Sequence, residues 1–98
     1  MTAPADPLIK DMAATWDDLL RLLPAALDGW AYRIEPSEVV VGSADRGATI
    51  AVAPLPPRQF GPVQIPRSRV QLAFRGLSAS ERETFVRQFD RAFQRGGG

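Results

Sequence analysis

The chain has 98 residues, of which 45% are hydrophobic and 23% are charged, and its formal net charge is +1. A chain of this length can bury one modest core, so we expect a single domain over residues 1–98, with disordered tails at 1–6 and 96–98. The small net charge argues against general affinity for nucleic acid or acidic membranes. Cysteine and histidine are both absent. Their absence excludes disulfides, Cys/His zinc sites, thiol nucleophiles and imidazole catalysis.

The sequence favours a cytoplasmic bacterial protein. Its first residues lack the basic start and unbroken apolar stretch of a secretory signal, and no apolar run approaches the ~18 residues that a membrane span requires. Eleven of the twelve basic residues are arginine. We interpret this mainly as the codon bias of a GC-rich genome, and secondly as a functional demand for guanidinium groups.

An amphipathic helix is predicted near the N-terminus. Asp6-Pro7 resembles a cap followed by proline at the first helical position, and Thr15 is the alternative start. Pro24 lacks an N–H group, so the helix should end near residue 23, or one turn later with Gly29 as the stop. The apolar residues that recur at steps of three and four are Leu8, Met12, Trp16, Leu19, Leu20 and Leu23.

Short alternating segments separated by turn residues predict an antiparallel meander. The predicted strands are 30–34, 39–41, 48–53 and 69–75. Pro54–Pro66 contains five prolines and is predicted to be a stiff connecting loop, because proline cannot donate to a ladder inside a sheet. Within it, 63–65 could add pairing at an edge.

A closing helix follows Gly76, because Ser78 and Glu81 have the spacing of a capping box. Its apolar stripe consists of Phe85, Val86, Phe89, Ala92 and Phe93. Together these elements predict an α+β fold in the order α-β-β-β-β-α. It is a two-layer sandwich in which a four-stranded antiparallel sheet carries the N- and C-terminal helices on one face. The other face of the sheet should be open to solvent, a ligand or a partner.

Few side chains are suited to catalysis, and we predict no catalytic residue, no cofactor and no metal site. Asp17 and Asp18 are adjacent on a helix and diverge by about 100°. Glu35 and Glu38 flank a turn, but two carboxylates fall short of the oxygen ligands that calcium prefers. An enzyme using one of these two glutamates is retained only as a remote alternative.

Four arginines are the candidate ligand-binding residues. Arg67, Arg69 and Arg75 fall on the outward side of the last predicted strand, with no acidic residue nearby in the sequence. If Arg33 lies close across the sheet, the open face becomes a cationic platform for an anion. The strand aromatics alternate onto the opposite side, so the stacking platform of an RNA-binding sheet is not expected.

Phe60, beside Gly61 and Pro62, is predicted either to be an exposed apolar contact at the tip of a rigid loop or to fold back and cover the sheet edge. The first functional hypothesis is therefore a small binding or adaptor module without catalysis of its own. It would dock a protein partner or associate with a second copy of itself. The alternative is an anion-binding domain that takes a nucleotide, a phosphorylated ligand or, less in keeping with its aromatics, nucleic acid through the four arginines.

Overall fold

The computed structural model describes residues 7–96, excluding the side chain of Arg95. Seven elements follow one another along the chain, and the sheet order is β1-β5-β4-β3-β2 with every neighbouring pair antiparallel. The elements are β1 (Leu8–Met12), α1 (Trp16–Ala26), β2 (Tyr32–Ile34), β3 (Glu38–Gly42), β4 (Gly47–Phe60), β5 (Val63–Arg75) and α2 (Ala79–Gly96). The α+β class is confirmed, but the sheet has five strands rather than the predicted four.

The fifth strand, β1, replaces the first turns of the predicted N-terminal helix. Leu8–Met12 pairs with β5, from Leu8 opposite Leu72 to Met12 opposite Ser68. Pairing with the edge of β5 satisfies backbone groups that a lone helical turn would leave to water. The predicted start at residue 6 was therefore wrong for the described part of the segment, and Asp6 itself lies outside the described residues.

The alternative start at Thr15 is confirmed. The Thr15 hydroxyl accepts the N–H of Asp18 at 3.1 Å, while the Asp18 carboxylate accepts the N–H of Thr15 at 3.0 Å, which completes a capping box. The predicted end near residue 23 was wrong, since Pro24 lies inside α1, and the alternative end one turn later is confirmed, since the helix continues to Ala26 with Leu27 as its C-cap. Gly29 follows in the turn with φ +89°.

The core lies between the sheet and both helices, which pack on the same face as predicted. Alternate residues of the three central strands point into it, including Val39, Ile50 and Leu72, all with no exposed surface. From the helices, Leu23 and Phe89 meet them. The remaining buried apolar residues are Leu19, Ala26, Leu27, Val41, Ala48, Val70, Phe85 and Ala92.

The proline-rich tract forms strand and not the predicted loop. β4 and β5 run through it as one long hairpin that turns at residues 61–62, and the expected edge pairing of 63–65 is part of this hairpin. Val52 donates its N–H to Ser37 O at 3.1 Å, so alternation places the nitrogen of Pro54 on the same outer edge, where β3 has ended. Pro56 and Pro57 occupy a bulge. The tract thus places its prolines where no ladder hydrogen bond is lost.

The predicted capping box at α2 is confirmed. Ser78 donates its N–H to the Glu81 carboxylate at 2.9 Å, and the N–H of Glu81 donates to the Ser78 hydroxyl at 3.2 Å. The Arg46 guanidinium contacts the same carboxylate from the β3–β4 turn. The Ser78 N–H, and then Arg46, lower the pKa of Glu81 below its ordinary value of 4.5.

Because its pKa is lowered on folding, Glu81 should stabilise the fold fully above its ordinary pKa and lose that contribution as the pH falls through the lowered value. We expect Glu81→Gln to remove this part of the acid sensitivity. Urea unfolding of wild type and variant between about pH 3 and about pH 6 measures the difference. Parallel pH profiles for the two proteins would contradict the prediction. Asp18, whose pKa is lowered in the same direction by Thr15, retains its own contribution in both proteins.

Candidate functional site

The sheet face opposite the helices, here called the open face, has an unusual central strand. The outward residues of β4 are Gly47, Thr49, Ala51, Ala53 and Leu55, and none is charged. We call these five residues the uncharged stripe. Solvated faces of antiparallel sheets normally carry polar side chains in alternation with the core. In residues 7–96 both helices lie on the other side of the sheet, so no helix covers the stripe.

The neighbouring strands extend this small, apolar character. Val40 of β3 and Ala73 of β5 are both paired with Thr49 and flank it on the same face. Further along, Gln71 and Glu38 flank Ala51. The open face is therefore shallow at Ala51 and Ala53, while at Gly47 and Thr49 the Arg75 side chain lies across the stripe and bonds to Thr49.

The hairpin continues beyond the neighbouring strands as an arm, residues 53–67, which contributes to a longest molecular dimension of 50 Å. Phe60 and Val63 form a cross-strand pair next to its turn, and each is 56% exposed. The pairings Arg58–Ile65 and Leu55–Arg67 place Leu55 and Ile65 on the same side of the arm. An apolar row thus leads from the uncharged stripe to the arm tip.

The four candidate arginines do not come together at one point. Arg67 and Arg69 both approach the carboxylate of Asp11 on β1, at 3.4 and 3.6 Å. Arg33 lies on β2 beside Glu35, at 3.7 Å. With β3 and β4 in between, its strand is about 14 Å from β5. Arg33 is therefore not close across the sheet.

The Arg75 side chain stabilises the fold through hydrogen bonds. Its guanidinium donates to the Thr49 hydroxyl at 2.7 Å and to the carbonyls of Val41 at 2.8 Å and Ser43 at 3.1 Å. These bonds tie the end of β5 to the β3–β4 turn. Arg58, on the arm, has no carboxylate within ion-pair distance in the described part of the chain.

The grooves on the helix side of the sheet include two that adjoin the arm and β1. One, of about 530 Å³, runs beneath the base of the arm between Trp16, Val52, Pro54 and Pro66. The other, of about 490 Å³, lies beside β1 and contains the ion pair of Lys10 with Asp90, whose charged atoms are 3.0 Å apart. Lys10 is thus paired with a carboxylate.

The structure shows Phe60 exposed, which is one of its two predicted positions, whereas the sequence analysis did not identify the uncharged stripe or Asp11. The stripe could have been found by listing every second residue from 47 to 55, where no charge occurs. Asp11 could not, because its position beside Arg67 and Arg69 depends on the pairing of β1 with β5, which joins residues more than fifty positions apart.

No helix within residues 7–96 is both long enough and apolar enough to cross a membrane. No protein-family model, curated protein or solved structure matches the chain. The candidate site is therefore defined by its own geometry: an uncharged, flat sheet face that continues into an exposed apolar arm, with charged side chains along both sides.

Proposed function

We propose that this protein is a protein-binding module whose docking surface consists of the open face and the outward side of the arm. The uncharged stripe carries the proposal. Five consecutive outward positions without a charge are expected where a surface is covered in the functional state, since the core of a protein interface is depleted of charged residues.

The arm supplies exposed large apolar side chains, which the uncharged stripe does not have. Phe60 and Val63 project from a two-stranded arm beside which no other strand lies within residues 7–96. Exposed aromatic side chains held on a rigid element bury a large apolar area on binding at little cost in conformational entropy. The arm thereby provides apolar side chains for a partner to bury, and the short side chains of the stripe allow the partner backbone to approach closely.

The charged rim fits the same function. Arg58, Arg67 and Arg69 line the β5 and arm side of the surface, and Glu35 and Glu38 lie at its β3 side. Such a separation of opposite charges orients an incoming partner and adds specificity more than affinity. We further propose, from composition alone, that the module belongs to the bacterial cytoplasm.

Anion binding through Arg33, Arg67, Arg69 and Arg75 has weaker support. Three of these guanidinium groups already lie beside a carboxylate, and the fourth is bonded to backbone carbonyls and a hydroxyl. An anion would have to compete with Asp11 or Glu35, and in the case of Arg75 with the fold itself.

Site-specific photo-crosslinking in cells that express the protein naturally tests the docking surface. The photoreactive residue p-benzoylphenylalanine is placed at Ile9 on the open face, at Val63 on the arm and, as a control, at Arg87 on the exposed side of α2. All three positions are exposed, so the folded protein should tolerate the larger side chain. We expect covalent protein adducts from Ile9 and Val63 in clear excess over Arg87. Equal yields at all three positions, or none at Ile9 and Val63, would overturn the proposal.

A further inference from the structure

We propose that the occupant of the docking surface is a second copy of this chain, seated face to face on the open sheet about a two-fold axis that runs parallel to β4. This inference rests on the proposed function, since it uses the same surface. It adds the identity of the partner and the orientation in which it binds. Three properties of the surface favour it: the placement of charge, the position of the arms and the available area.

The charges of the open face complement themselves under this axis. Rotation about a line along β4 places β5 of one subunit over β3 of the other. Arg69 lies level with Ala53, two residues or about 7 Å beyond the level of Ala51 and Glu38. Arg69 therefore lies diagonally opposite Glu38 of the partner subunit across sheets about 10 Å apart, within reach of two extended side chains.

The neighbouring charges reinforce this complementarity. Asp11 lies between Arg67 and Arg69, so one carboxylate faces two guanidinium groups and this side keeps an excess positive charge. On the β3 side, Glu35 and Glu38 face the single cation Arg33, which leaves an excess negative charge. In the dimer, the excess positive charge on the β5 side of each subunit lies opposite the excess negative charge on the β3 side of the other. The two-fold axis makes this contact occur twice.

The alternative axis, perpendicular to the strands, neither brings opposite charges together nor covers the apolar residues of the arms. It would lay β5 over β5 in reverse, which brings the end with Arg67 over the end with Arg75. Like charges that face one another across an interface are unfavourable. The two arms would then project in opposite directions, and Phe60 would remain in water.

With the axis along β4, both arms project from the same end of the dimer. The apolar row of one arm, Leu55, Ile65 and the pair Phe60–Val63, then meets the same row of the other. The two Arg58 side chains lie nearest the axis on the arms, and their length allows the charged ends to turn outward to solvent. The dimer thereby covers both large apolar residues of the arm tip. The two Arg75 guanidinium groups, bonded over β4, also lie near the axis, and their repulsion opposes part of the gain.

The area lies near the lower limit for a specific dimer. Three strands face the partner along residues 47–51 of β4, and two strands continue along the arm. With strands about 4.8 Å apart and a rise of about 3.3 Å per residue, this band covers about 500 Å² per subunit, or about 1,000 Å² for the two faces. The short side chains of Ala51 and Ala53 allow the two sheets to approach closely in the middle of the band.

The test is sedimentation velocity on the purified full chain over a range of concentrations. We expect a species of twice 10.7 kDa. Ala51→Arg, in the middle of the stripe, should yield a monomer, while the control Ala25→Arg, on the exposed surface of α1, should remain dimeric. Phe60→Ser, at an exposed position that contributes little to folding, should raise the dimer dissociation constant at least ~10-fold. Circular dichroism shows whether each variant is folded.

A charge exchange tests the axis itself. Arg69→Glu and Glu38→Arg should each weaken the dimer, and the double variant should recover most of the lost affinity, because the two groups face one another only under this axis. Double-variant binding no better than either single variant overturns the proposed orientation. A wild type that is monomeric at about 100 µM, well above the micromolar dissociation constants of weak complexes, overturns the dimer.

The two proposals fail separately. If wild type is monomeric while Ile9 and Val63 crosslink to a different protein in cells, the second copy is wrong as the occupant and the docking surface stands. If these positions crosslink to no protein and wild type is monomeric, both proposals fall. Crosslinked peptides that join this chain to itself, with Val63 bound to the partner's arm, support both.

Discussion

Gly76→Ala is expected to destabilise the protein by more than about 3 kcal/mol, near the upper end of single substitutions. Gly76 ends β5 with φ +64°, a left-handed conformation that disfavours any side chain. A Cβ atom there would lie 2.0 Å from the carbonyl oxygen of Asp45, and that oxygen belongs to backbone. The β3–β4 turn, which Arg75 also holds, would have to move. Urea unfolding at equilibrium measures the loss.

Gly61→Ala is the matched control for this effect. Gly61 has a similar φ of +56° in the hairpin turn, but a Cβ atom there meets nothing within 4 Å. This variant should therefore show only the conformational cost, about 1 kcal/mol. Equal losses in the two variants would mean that the turn around Asp45 yields without cost, contrary to the prediction.

Phe89→Ala should lower the free energy of unfolding by about 3–5 kcal/mol, because it leaves a cavity at the centre of the core. Phe89 has no exposed surface, and its ring lies 4.7 Å from that of Phe93. It projects from α2 toward the sheet, where small-to-medium side chains cannot expand to fill the space. In a domain of this size such a loss is a large share of the total free energy of unfolding.

The same helix offers the control for Phe89. Arg87→Ala, on the exposed side of α2, should change the free energy of unfolding by no more than about 0.5 kcal/mol. Both variants are measured by urea unfolding, with the slope of the transition compared to wild type. A loss at Phe89 as small as that at Arg87 would contradict the assignment of the core.

Local sequence signals predicted α2 and the central strands well. Ser78 and Glu81 are three residues apart and satisfy each other's backbone, so the start of α2 depends on nothing distant. The alternation of Val70, Leu72 and Phe74 likewise identified the core face of β5. Such signals succeed because the interacting groups lie within one turn or one strand of each other.

The N-terminal segment shows where local signals fail. Leu8 and Met12 have the spacing of a helical stripe, and residues 8–12 show no strand alternation, so the sequence predicts a helix there. The free edge of β5, some sixty residues away, selects the strand. The proline tract was misjudged for a related reason: prolines exclude a strand from the interior of a sheet, but a hairpin arm has free edges on both sides.

Some features of the candidate surface follow from local sequence, and others depend on the tertiary structure. The sequence by itself determined that residues 69–75 would present arginines outward and that every second residue from 47 to 55 is uncharged, because alternation is a local property. The tertiary structure decided that Phe60 is exposed and not folded back over the sheet edge, that Asp11 lies between two of the arginines, and that the uncharged stripe lies at the centre of the open face. Strand order places a residue at a centre or an edge, and strand order depends on contacts between distant segments, which no local pattern encodes.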